Sequence, residues 1–492
     1  MATNILFTSA EAAPFAKVGG MADVVGSLPK ALRNLGADAR VILPYYGFID
    51  AVKYQIEPIF SFEFTRRTGT TDVYVFKTIY DGVPFYLVRG WPFFGDERET
   101  YTTWNNDVPR FLFFCQVAMA VAWELRGREA WFPDVFHIND WHTGLLPFLL
   151  NESRNEPVWS DVASILSIHN LAYQGEHVGG WLWQLGIPGR HHPELMRRGL
   201  TDNLLAMAIA YSDVVSTVSP RYATEIQYPY QGYGLDGLIR TRLDDLYGIL
   251  NGLDVDFWNP ATDKLLASNF DAENFPEQRI ANKRQLQLDA GLEVRDGIPV
   301  IGVVSRLVEQ KGFDLALPAL RQLLSDSEVQ FIALGSGDPN LDYEFWRLGK
   351  DFWWKAKVYQ GYNAAIAQRI YAGSDMFLMP SHYEPCGTSQ MIAMRYGSLP
   401  VVRETGGLAD TVENYDDGPA DQGTGFRFQW EEPAAVLGTL RWALYTYYNR
   451  PDAWQRMQRR AMQMDFSWDT SAQQYMDVYH KAILRRRGAG VS

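Results

Sequence analysis

Two segments of the chain place a cation beside glycine where a predicted strand gives way to a helix. The first, Lys17-Val-Gly-Gly-Met-Ala-Asp23, follows the predicted strand Ile5–Ser9 and opens a helix. Glycine lets the backbone approach a ligand closely, and a helix N-terminus favours an anion. The second, Ser305-Arg-Leu307 with Lys311-Gly312, follows the predicted strand Val300–Ser305. Its two cations favour a diphosphate ligand, although a glycine turn or a solvated loop explains either segment alone.

A tight loop, Tyr383-Glu-Pro-Cys-Gly-Thr388, follows the predicted strand Met376–Met379. Proline and glycine fix such a turn, and a helix is expected after it. The turn would present backbone N–H groups to an anion and the Glu384 carboxylate to a ligand rich in hydroxyl groups. Thr405-Gly-Gly-Leu408 repeats the arrangement one strand later. An ordinary strand-to-helix connection is the alternative for each loop.

Polar residues also stand at two predicted strand ends in the first half of the chain. Asp140-Trp-His142 follows the strand Val135–Asn139, and His169-Asn170 lies at the end of the strand Ser164–His169. Parallel strands bind ligands at their carboxyl ends, so these side chains are candidates for a site. A single histidine is more often structural, and both interpretations stay open for His142 and His169.

Four further patterns resemble known sites but lack the right context. Gly232-Tyr-Gly-Leu-Asp-Gly237 matches the dinucleotide-binding pattern, yet it follows Tyr-Pro-Tyr-Gln instead of a strand. Asp254-Val-Asp256 lies in an irregular segment, which disfavours a metal–nucleotide role. His191-His192 has no carboxylate or cysteine partner at metal-site spacing, and Cys386 has no apparent base, which favours packing over nucleophilic catalysis. We therefore predict neither a dinucleotide site nor a metal site.

The composition of the 492 residues limits the class of protein. There are 45 Lys and Arg against 58 Asp and Glu, and the net charge of −13 excludes a generally basic nucleic-acid binder. Two cysteines fit a reducing compartment. We see no signal peptide and no run of ~18 apolar residues; the longest apolar run, Phe111–Leu125, contains Gln116 and Glu124 and predicts a buried helix. The sequence therefore predicts a cytoplasmic protein without a membrane span or targeting segment.

Short β-branched runs alternate with amphipathic stretches, which is the pattern of parallel α/β sheets. The predicted strands are Ile5–Ser9, Arg40–Leu43, Val135–Asn139, Ser164–His169, Val214–Val218, Tyr247–Leu250, Val300–Ser305, Gln330–Leu334, Val358–Gln360, Met376–Met379, Pro400–Val402 and Gly425–Phe428. The segment Asn251–Pro276 breaks this alternation and predicts a domain junction. We predict two doubly wound, Rossmann-like α/β domains, at 1–255 and 256–465, that face a deep ligand-binding cleft. The last segment, 466–492, is predicted to be a helix that packs back on the first domain.

Taken together, these motifs resemble the bacterial glycogen synthase and plant starch synthase family, which are retaining glucosyltransferases of the GT-B fold. The resemblance extends from Ile5 to about Tyr479, and so many motifs in one order argue against chance agreement. The motifs are Lys17-Val-Gly-Gly-Met-Ala-Asp23, Asn139-Asp-Trp-His142, Ser167-Ile-His-Asn170, Asn251-Gly-Leu-Asp254, Ser305-Arg-Leu307, Gln310-Lys-Gly312, Gly361-Tyr362, Glu384-Pro-Cys-Gly387 and Thr405-Gly-Gly-Leu408.

The resemblance implies an activity and its partners. The family transfers glucose from ADP-glucose, in some members UDP-glucose, to the non-reducing 4-OH of an α-1,4-glucan such as glycogen or starch. It retains the anomeric configuration and needs no metal or other cofactor, and it implies neither a nucleic-acid nor a membrane partner. The second glutamate of the wider Glu-x7-Glu pattern is absent, because Met391 and Ile392 stand there. A ribose contact from that position is therefore not expected.

The resemblance also implies roles for individual residues. Arg306 and Lys311 would hold the phosphates, Glu384 would bond the transferred glucose, and His169 would contact it with its backbone carbonyl near the anomeric centre; these four would be catalytic. The donor-side residues would be Lys17, Gly19, Gly20, Arg306, Lys311, Gly361, Tyr362, Glu384, Cys386, Gly387 and Thr388, with Gly361 and Tyr362 at the nucleobase. The acceptor-side residues would be Asp140, Trp141, Asn170 and Asn251.

Three other functions compete with this interpretation. A UDP-glucose-dependent sister enzyme of the sucrose synthase type would use a small acceptor. A catalytically silent glucan-binding scaffold would keep the aromatic residues but lose cations or the glutamate of the motifs, all of which are present. A glucan phosphorylase would carry pyridoxal phosphate on a lysine, and none of that family's motifs is apparent.

Overall fold

The computed structural model describes residues 2–417 and 422–488. The chain forms two compact units: unit 1 comprises Met1–Gly252 and Trp468–Ser492, and unit 2 comprises Leu253–Ser467. Each unit is built on one main β-sheet with helices packed against it.

Unit 1 contains nine strands in its described residues. These are β1 (Asn4–Thr8), β2 (Asp38–Pro44), β3 (Glu57–Arg66), β4 (Gly69–Tyr80), β5 (Val83–Arg89), β6 (Val135–Asn139), β7 (Ala163–Ile168), β8 (Val214–Thr217) and β9 (Leu246–Gly248). Its helices are α1 (Gly20–Asn34), α2 (Trp104–Arg128), α3 (Leu146–Glu152), α4 (Gly179–Gln184), α5 (Pro193–Arg198), α6 (Leu204–Tyr211), α7 (Pro220–Glu225), α8 (Pro229–Gly232), α9 (Asp236–Ile239) and the C-terminal helix Trp468–Arg486. The turns Trp141–Thr143 and Arg240–Asp245 are 3₁₀ helices.

Unit 2 contains the remaining elements. Its strands are β10 (Val300–Val304), β11 (Gln330–Gly335), β12 (Ala356–Gln360), β13 (Met376–Met379), β14 (Leu399–Arg403) and β15 (Phe426–Phe428). Its helices are α10 (Phe275–Asp289), α11 (Phe313–Asp326), α12 (Pro339–Asp351), α13 (Ala364–Gly373), α14 (Ser389–Arg395), α15 (Gly406–Thr411), α16 (Pro433–Asn449) and α17 (Pro451–Gln463). The C-terminal helix Trp468–Arg486, which belongs to unit 1, is α18. Glu309–Lys311 forms a 3₁₀ turn.

Both sheets have the strand order of a doubly wound fold. In unit 1 the order is β3-β4-β5-β2-β1-β6-β7-β8-β9, and every pair from β5 to β9 is parallel. In unit 2 the all-parallel order is β12-β11-β10-β13-β14-β15. In each sheet the order reverses beside the first strand of the unit, which is the switch point where such folds bind ligands. The predicted fold class is therefore confirmed.

Three strands of unit 1 were not predicted from the sequence. β3, β4 and β5 form an antiparallel extension of the sheet, and no strand was predicted between residues 44 and 134. The signal is present in the sequence, since Phe60, Phe62 and Phe64 alternate with polar residues along β3. Asp81-Gly82 then links β4 to β5 with a positive φ at both residues, which is the two-residue hairpin turn that Asp-Gly favours.

The long apolar helix α2 is a core element. By length and composition alone it could cross a membrane, but 67% of its most apolar window is buried inside the protein. It contains the run Phe111–Leu125, most of whose apolar side chains are buried, although Trp123 is exposed. The prediction of a buried helix here is confirmed.

The C-terminal helix α18 packs on unit 1, against α1 and the strands β6, β7 and β8. The Tyr479 hydroxyl lies 2.7 Å from Nδ1 of the buried His137, and Ser471 Oγ donates to the carbonyl of Leu250 at 2.6 Å. Gly252 lies against the Trp468 ring, where a Cβ would overlap it. These contacts return the chain end to the first unit, as predicted.

Candidate active site

Lys311 and Glu384 meet at the carboxyl edge of the unit 2 sheet. Lys311 ends the turn after β10, Glu384 lies in the loop after β13, and these two strands are neighbours. Lys311 Nζ lies 2.6 Å from Glu384 Oε2 with both side chains largely buried. Ser381 Oγ donates to the same carboxylate oxygen at 3.0 Å. Within residues 2–417 and 422–488, no side chain or backbone group bonds to Oε1 of Glu384, so that oxygen is available to a ligand.

The backbone at this edge is closely packed. Gly312 has a φ of +67°, and a Cβ there would overlap the carbonyl oxygen of Pro380. His382 N donates to the Gln310 carbonyl at 2.9 Å, which joins the two loops directly. This contact, which only glycine permits, sets the Lys311 ammonium beside Glu384.

Arg306 follows β10 and is exposed. No acidic side chain in the described part of the chain pairs with its guanidinium. An exposed, unpaired arginine at the carboxyl edge of β10 can bind a phosphate without first breaking an ion pair.

The Cys386–Thr388 turn is held by Gln390. Gln390 Nε2 donates to the carbonyls of Cys386 at 3.2 Å and Gly387 at 3.0 Å. Gly387 has a φ of +73°, and its turn leads into α14 through Thr388. The Cys386 thiol is buried, in agreement with a packing role.

The glycines of the second loop, Thr405-Gly-Gly-Leu408, serve loop packing and not the binding of an anion by backbone N–H groups. Gly406 and Gly407 lie where any Cβ would overlap the carbonyl oxygens of Glu384 and Cys386. Gly407 N donates to the Glu384 carbonyl at 3.1 Å. These glycines therefore permit two loops to touch, and the Gly407 N–H is already occupied by protein.

Gly361 and Tyr362 lie apart from these contacts, in the turn after β12. Gly361 has a φ of +92° and open space around its Cα, and Tyr362 is 78% exposed. Gly361 N donates to the Gly335 carbonyl at 3.2 Å. An exposed ring at this edge has a free face for an aromatic ligand.

In unit 1, the glycine loop before α1 is occupied by a residue that the sequence analysis missed. The buried Glu11 carboxylate accepts hydrogen bonds from the N–H groups of Val18 at 2.7 Å and Gly19 at 2.8 Å. Gly19 is the N-cap of α1 and Gly20 its first residue. Lys17 Nζ pairs with Asp23 at 2.6 Å on the surface. A carboxylate directly after β1, in the same strand-to-helix loop, was the available signal.

His169 is a neutral, buried side chain. Its Nε2 lies 2.8 Å from Asn139 Oδ1, and Asn139 Nδ2 donates to the Thr8 carbonyl at 3.0 Å. This orients the amide oxygen toward the ring, so Nε2 carries the proton and Nδ1 is a bare acceptor. Burial lowers the pKa of His169 to about 3. No described residue bonds to Nδ1.

Asp140 supports the backbone of His169. Its Oδ1 accepts from the N–H groups of His169 at 2.7 Å and Asn170 at 3.4 Å. Burial raises the pKa of Asp140 to about 7, the two backbone hydrogen bonds lower it, and the Glu11 charge adds to the rise. Because the pKa is raised above 3.8, ionisation costs folding stability above pH ~7, and the cost disappears as the pH falls toward the ordinary value.

The remaining acceptor-side candidates differ in exposure and contacts. The buried Trp141 ring packs against Gly175, and His142 stacks on Tyr101 with ring centres 4.9 Å apart. Asn170 Oδ1 accepts from Ala172 N at 3.0 Å. Asn251 Oδ1 is buried, and no described group bonds to it. The structure thus groups Asp140, His169 and Asn170, whereas Asn251 makes no hydrogen bond to them.

No cluster of three or more His, Cys, Asp and Glu side chains suited to a metal occurs in the described ranges. Each sheet edge instead carries polar groups of its own. Arg306 and the Lys311–Glu384 pair suit phosphate and hydroxyl groups, and the neutral His169 offers an acceptor nitrogen. The unit 2 groups therefore fit a phosphorylated, hydroxyl-rich ligand, and the unit 1 nitrogen fits a hydroxyl donor.

Comparison with known proteins identifies the family. Residues 4–241 match the family described as the starch synthase catalytic domain, and residues 287–455 match glycosyl transferases group 1. The glycogen synthase of Trichodesmium erythraeum is 42% identical over 98% of this chain and 99% of that protein. The glycogen synthase of Streptococcus sanguinis is 42% identical over 98% of this chain and 100% of that protein. The chain belongs to the glycogen synthase and starch synthase family.

Solved structures agree with membership of this glucosyltransferase family. The catalytic domain of starch synthase IV from Arabidopsis thaliana, bound to ADP and acarbose, has a TM-score of 0.87 and 31% identity, and the match covers 98% of this chain and 100% of that one. Sucrose-phosphate synthase from Thermosynechococcus elongatus has a TM-score of 0.61 at 15% identity, over 97% and 98% of the chains, and so shares the fold. The resemblance to glycogen and starch synthases is confirmed, and with it the GT-B fold.

Proposed function

We propose that this family member elongates an α-1,4-glucan by transferring glucose from ADP-glucose to the non-reducing 4-OH, with retention and without a metal ion. The observation that carries the proposal is the buried Lys311–Glu384 pair, 2.6 Å long, at the same strand end as the unpaired Arg306. Two cations and a free carboxylate oxygen at one strand end suit the phosphates and hydroxyl groups of a sugar diphosphate.

Transfer of glucose from a sugar diphosphate requires groups that stabilise the departing phosphate and bind the glucose. When the bond between C1 of glucose and the β-phosphate oxygen breaks, negative charge develops on the departing ADP, and Arg306 and Lys311 take it up. The ammonium is held by Glu384 before any donor arrives, so little reorganisation is needed during reaction. Glu384 Oε1 would accept a hydrogen bond from a hydroxyl of the transferred glucose.

In the proposed reaction the acceptor attacks C1 on the face that the phosphate leaves. The acceptor 4-OH forms its bond to C1 as the phosphate leaves, and its proton passes to the departing phosphate oxygen. His169 is neutral because its pKa is near 3, so it adds no positive charge beside the oxocarbenium-like centre. Its bare Nδ1 would accept a hydrogen bond from a glucose hydroxyl. The residues proposed to contact the glucan are Asp140, Trp141, Asn170 and Asn251.

The donor nucleotide is tested by transfer of label. The starch synthase IV structure contains ADP, which supports ADP-glucose over UDP-glucose here. The pure protein is incubated with glycogen and either labelled ADP-glucose or labelled UDP-glucose, and label in the polymer is measured. We expect ADP-glucose to be preferred. Equal rates or a preference for UDP-glucose would overturn that choice, and no transfer from either donor would favour a silent scaffold.

We further propose that the protein is cytoplasmic and needs no cofactor. Cys115 and Cys386 are both free and buried, which fits a reducing compartment. The two cations assigned to the phosphates perform the charge neutralisation for which other transferases use a metal ion.

Lys17→Ala tests the assignment of the glycine loop to the donor. An exposed ion pair such as Lys17–Asp23 contributes little to stability, about 0–1 kcal/mol, so the ammonium can turn to a ligand. We expect KM for ADP-glucose to rise about 10- to 100-fold, the ~1.5–3 kcal/mol of a charged hydrogen bond. Asp23→Ala is the matched control, because it removes the partner and keeps the lysine. An unchanged KM in Lys17→Ala would contradict the assignment.

Asp140→Asn tests the acceptor-side carboxylate. Since the pKa of Asp140 is about 7, kcat/KM should fall as the pH drops below ~7, where the free oxygen becomes protonated. The variant keeps the oxygen that accepts from His169 N but cannot titrate, so its profile should be flat there, at lower activity. Stability should change in the opposite direction to activity. The free energy of unfolding of the wild type, relative to that of the variant, should rise as the pH falls from ~7 toward ~4. Identical acid limbs in both proteins would refute the assignment.

A further inference from the structure

Glu11 makes contacts that the reaction described above does not use. Its side chain is buried in the loop between β1 and α1. Oε2 accepts from the N–H groups of Val18 at 2.7 Å and Gly19 at 2.8 Å, and Oε1 accepts from the Tyr101 hydroxyl at 2.6 Å. The chain thus supplies three donors to one carboxylate.

These contacts change how the glycine loop can bind a donor. Two successive backbone N–H groups form the kind of anion site that a diphosphate would occupy. Here that site is filled by a carboxylate of the same chain, and a phosphate would have to displace its two hydrogen bonds to the N–H groups. The loop therefore presents Lys17 to a ligand, whereas the N–H groups of Val18 and Gly19 serve to fix its shape.

The other oxygen of Glu11 leads to the acceptor-side residues. Tyr101, whose hydroxyl it binds, stacks on His142 with ring centres 4.9 Å apart and an angle of 24°. His142 in turn contacts the Trp141 ring at 4.2 Å. A single buried carboxylate thus connects the loop that carries Lys17 to the aromatic residues next to Asp140.

We propose that Glu11 is a positioning residue that clamps the Lys17 loop and couples it to the acceptor-side residues Trp141 and His142. The proposal rests on the function assigned above, since it concerns the binding of that donor and that glucan. It predicts that one residue, touching neither substrate, sets the affinity for both.

The charge of Glu11 gives a readout that loop packing alone would not. Asp140 faces Glu11 and Tyr101, and its oxygen accepts from the backbone of His169. His142 and Arg110 are the next ionisable groups. Replacing Glu11 by a neutral residue removes one negative charge near Asp140 and should move the acid limb of the pH profile to lower pH.

The test compares two substitutions at the same position. Glu11→Ala removes the clamp, whereas Glu11→Gln keeps an oxygen for the loop N–H groups and an amide for the Tyr101 hydroxyl but carries no charge. We expect Glu11→Ala to raise KM for both ADP-glucose and glycogen about 10- to 100-fold, as misplaced binding groups do. Glu11→Gln should restore both KM values to within about threefold at pH above the limb, and still shift the limb.

A structural readout separates this proposal from the proposed function. Hydrogen exchange of the peptide that spans residues 9–22 is measured without ligand; we expect faster exchange in Glu11→Ala and nearly wild-type exchange in Glu11→Gln. Asp213→Ala is the control, because Asp213 is a buried carboxylate that also bonds backbone N–H, at Ser164. It should alter stability without changing either KM.

The outcomes are distinct. Wild-type exchange and wild-type KM values in Glu11→Ala would overturn the clamp. The clamp would also be overturned if Glu11→Gln showed wild-type hydrogen exchange in residues 9–22 but kept raised KM values. The charge of Glu11 would then act on the substrates directly. A wild-type enzyme that transfers no glucose from ADP-glucose would refute the proposed function alone, while the exchange data would still decide the clamp.

Discussion

Replacing Lys311 by methionine is expected to lower kcat/KM for ADP-glucose about 10³-fold, the loss that follows removal of a preorganised group facing developing charge. The ammonium lies 2.6 Å from Glu384 and is largely buried, so no water replaces it in the same position. The substitution should also destabilise the fold by about 3 kcal/mol, because it leaves the Glu384 carboxylate buried without its counter-ion. Steady-state kinetics and chemical denaturation measure the two effects.

A second substitution separates catalysis from stability. Adding Glu384→Gln to Lys311→Met removes the uncompensated charge and should restore most of the lost stability, while the activity stays low. Recovery of activity together with stability would contradict a catalytic role for Lys311 and assign it to the fold alone.

Replacing His169 by glutamine is expected to reduce kcat about 10²- to 10³-fold. Glutamine can place an amide N–H where Nε2 donates to Asn139 Oδ1, but it has no acceptor at the position of Nδ1. Asparagine does the reverse, because its oxygen lies near the Nδ1 position and its amide is too short to reach Asn139. His169→Asn should therefore keep kcat within about tenfold of the wild type.

The comparison of these two variants decides which ring nitrogen acts. If His169→Gln is the more active, the contact to Asn139 is what matters and the proposed bond from Nδ1 to glucose is wrong. The kcat of the wild type should also show no histidine titration above pH ~5, since burial holds the pKa of His169 to about 3.

The sequence predicted the parallel strands well because most of them are short apolar runs buried on both faces. Val135–Asn139 and Met376–Met379 have the same bounds in the structure, and β15 begins one residue after its predicted start. Strands β3 and β4 were missed because their alternating pattern differs from the buried runs that dominate the chain. Strand β5 is itself a largely buried apolar run and was overlooked. Their Asp81-Gly82 turn was a local signal that went unused.

Site residues whose proposed role follows from the charge or polarity of the side chain were apparent in the sequence. Cations and glycine after β10, and a carboxylate after β13, predicted groups suited to a phosphate and a sugar. What each group does inside the fold was not apparent. The sequence does not say that Lys311 pairs with Glu384, because 73 residues separate them and only the pairing of β10 with β13 brings them together.

The sequence by itself therefore determined the family, the doubly wound fold and the positions of chemically capable residues at strand ends. The family follows from the motifs and their order, whereas the fold and the strand-end positions follow from local composition, turn residues and periodicity. Only the tertiary structure decided which partners those residues have. Glu11 accepts hydrogen bonds from the N–H groups of the glycine loop, and Asn139 fixes the tautomer of His169. Burial raises the pKa of Asp140. The reason is physical, since hydrogen-bond partners and desolvation are set by neighbours distant in sequence.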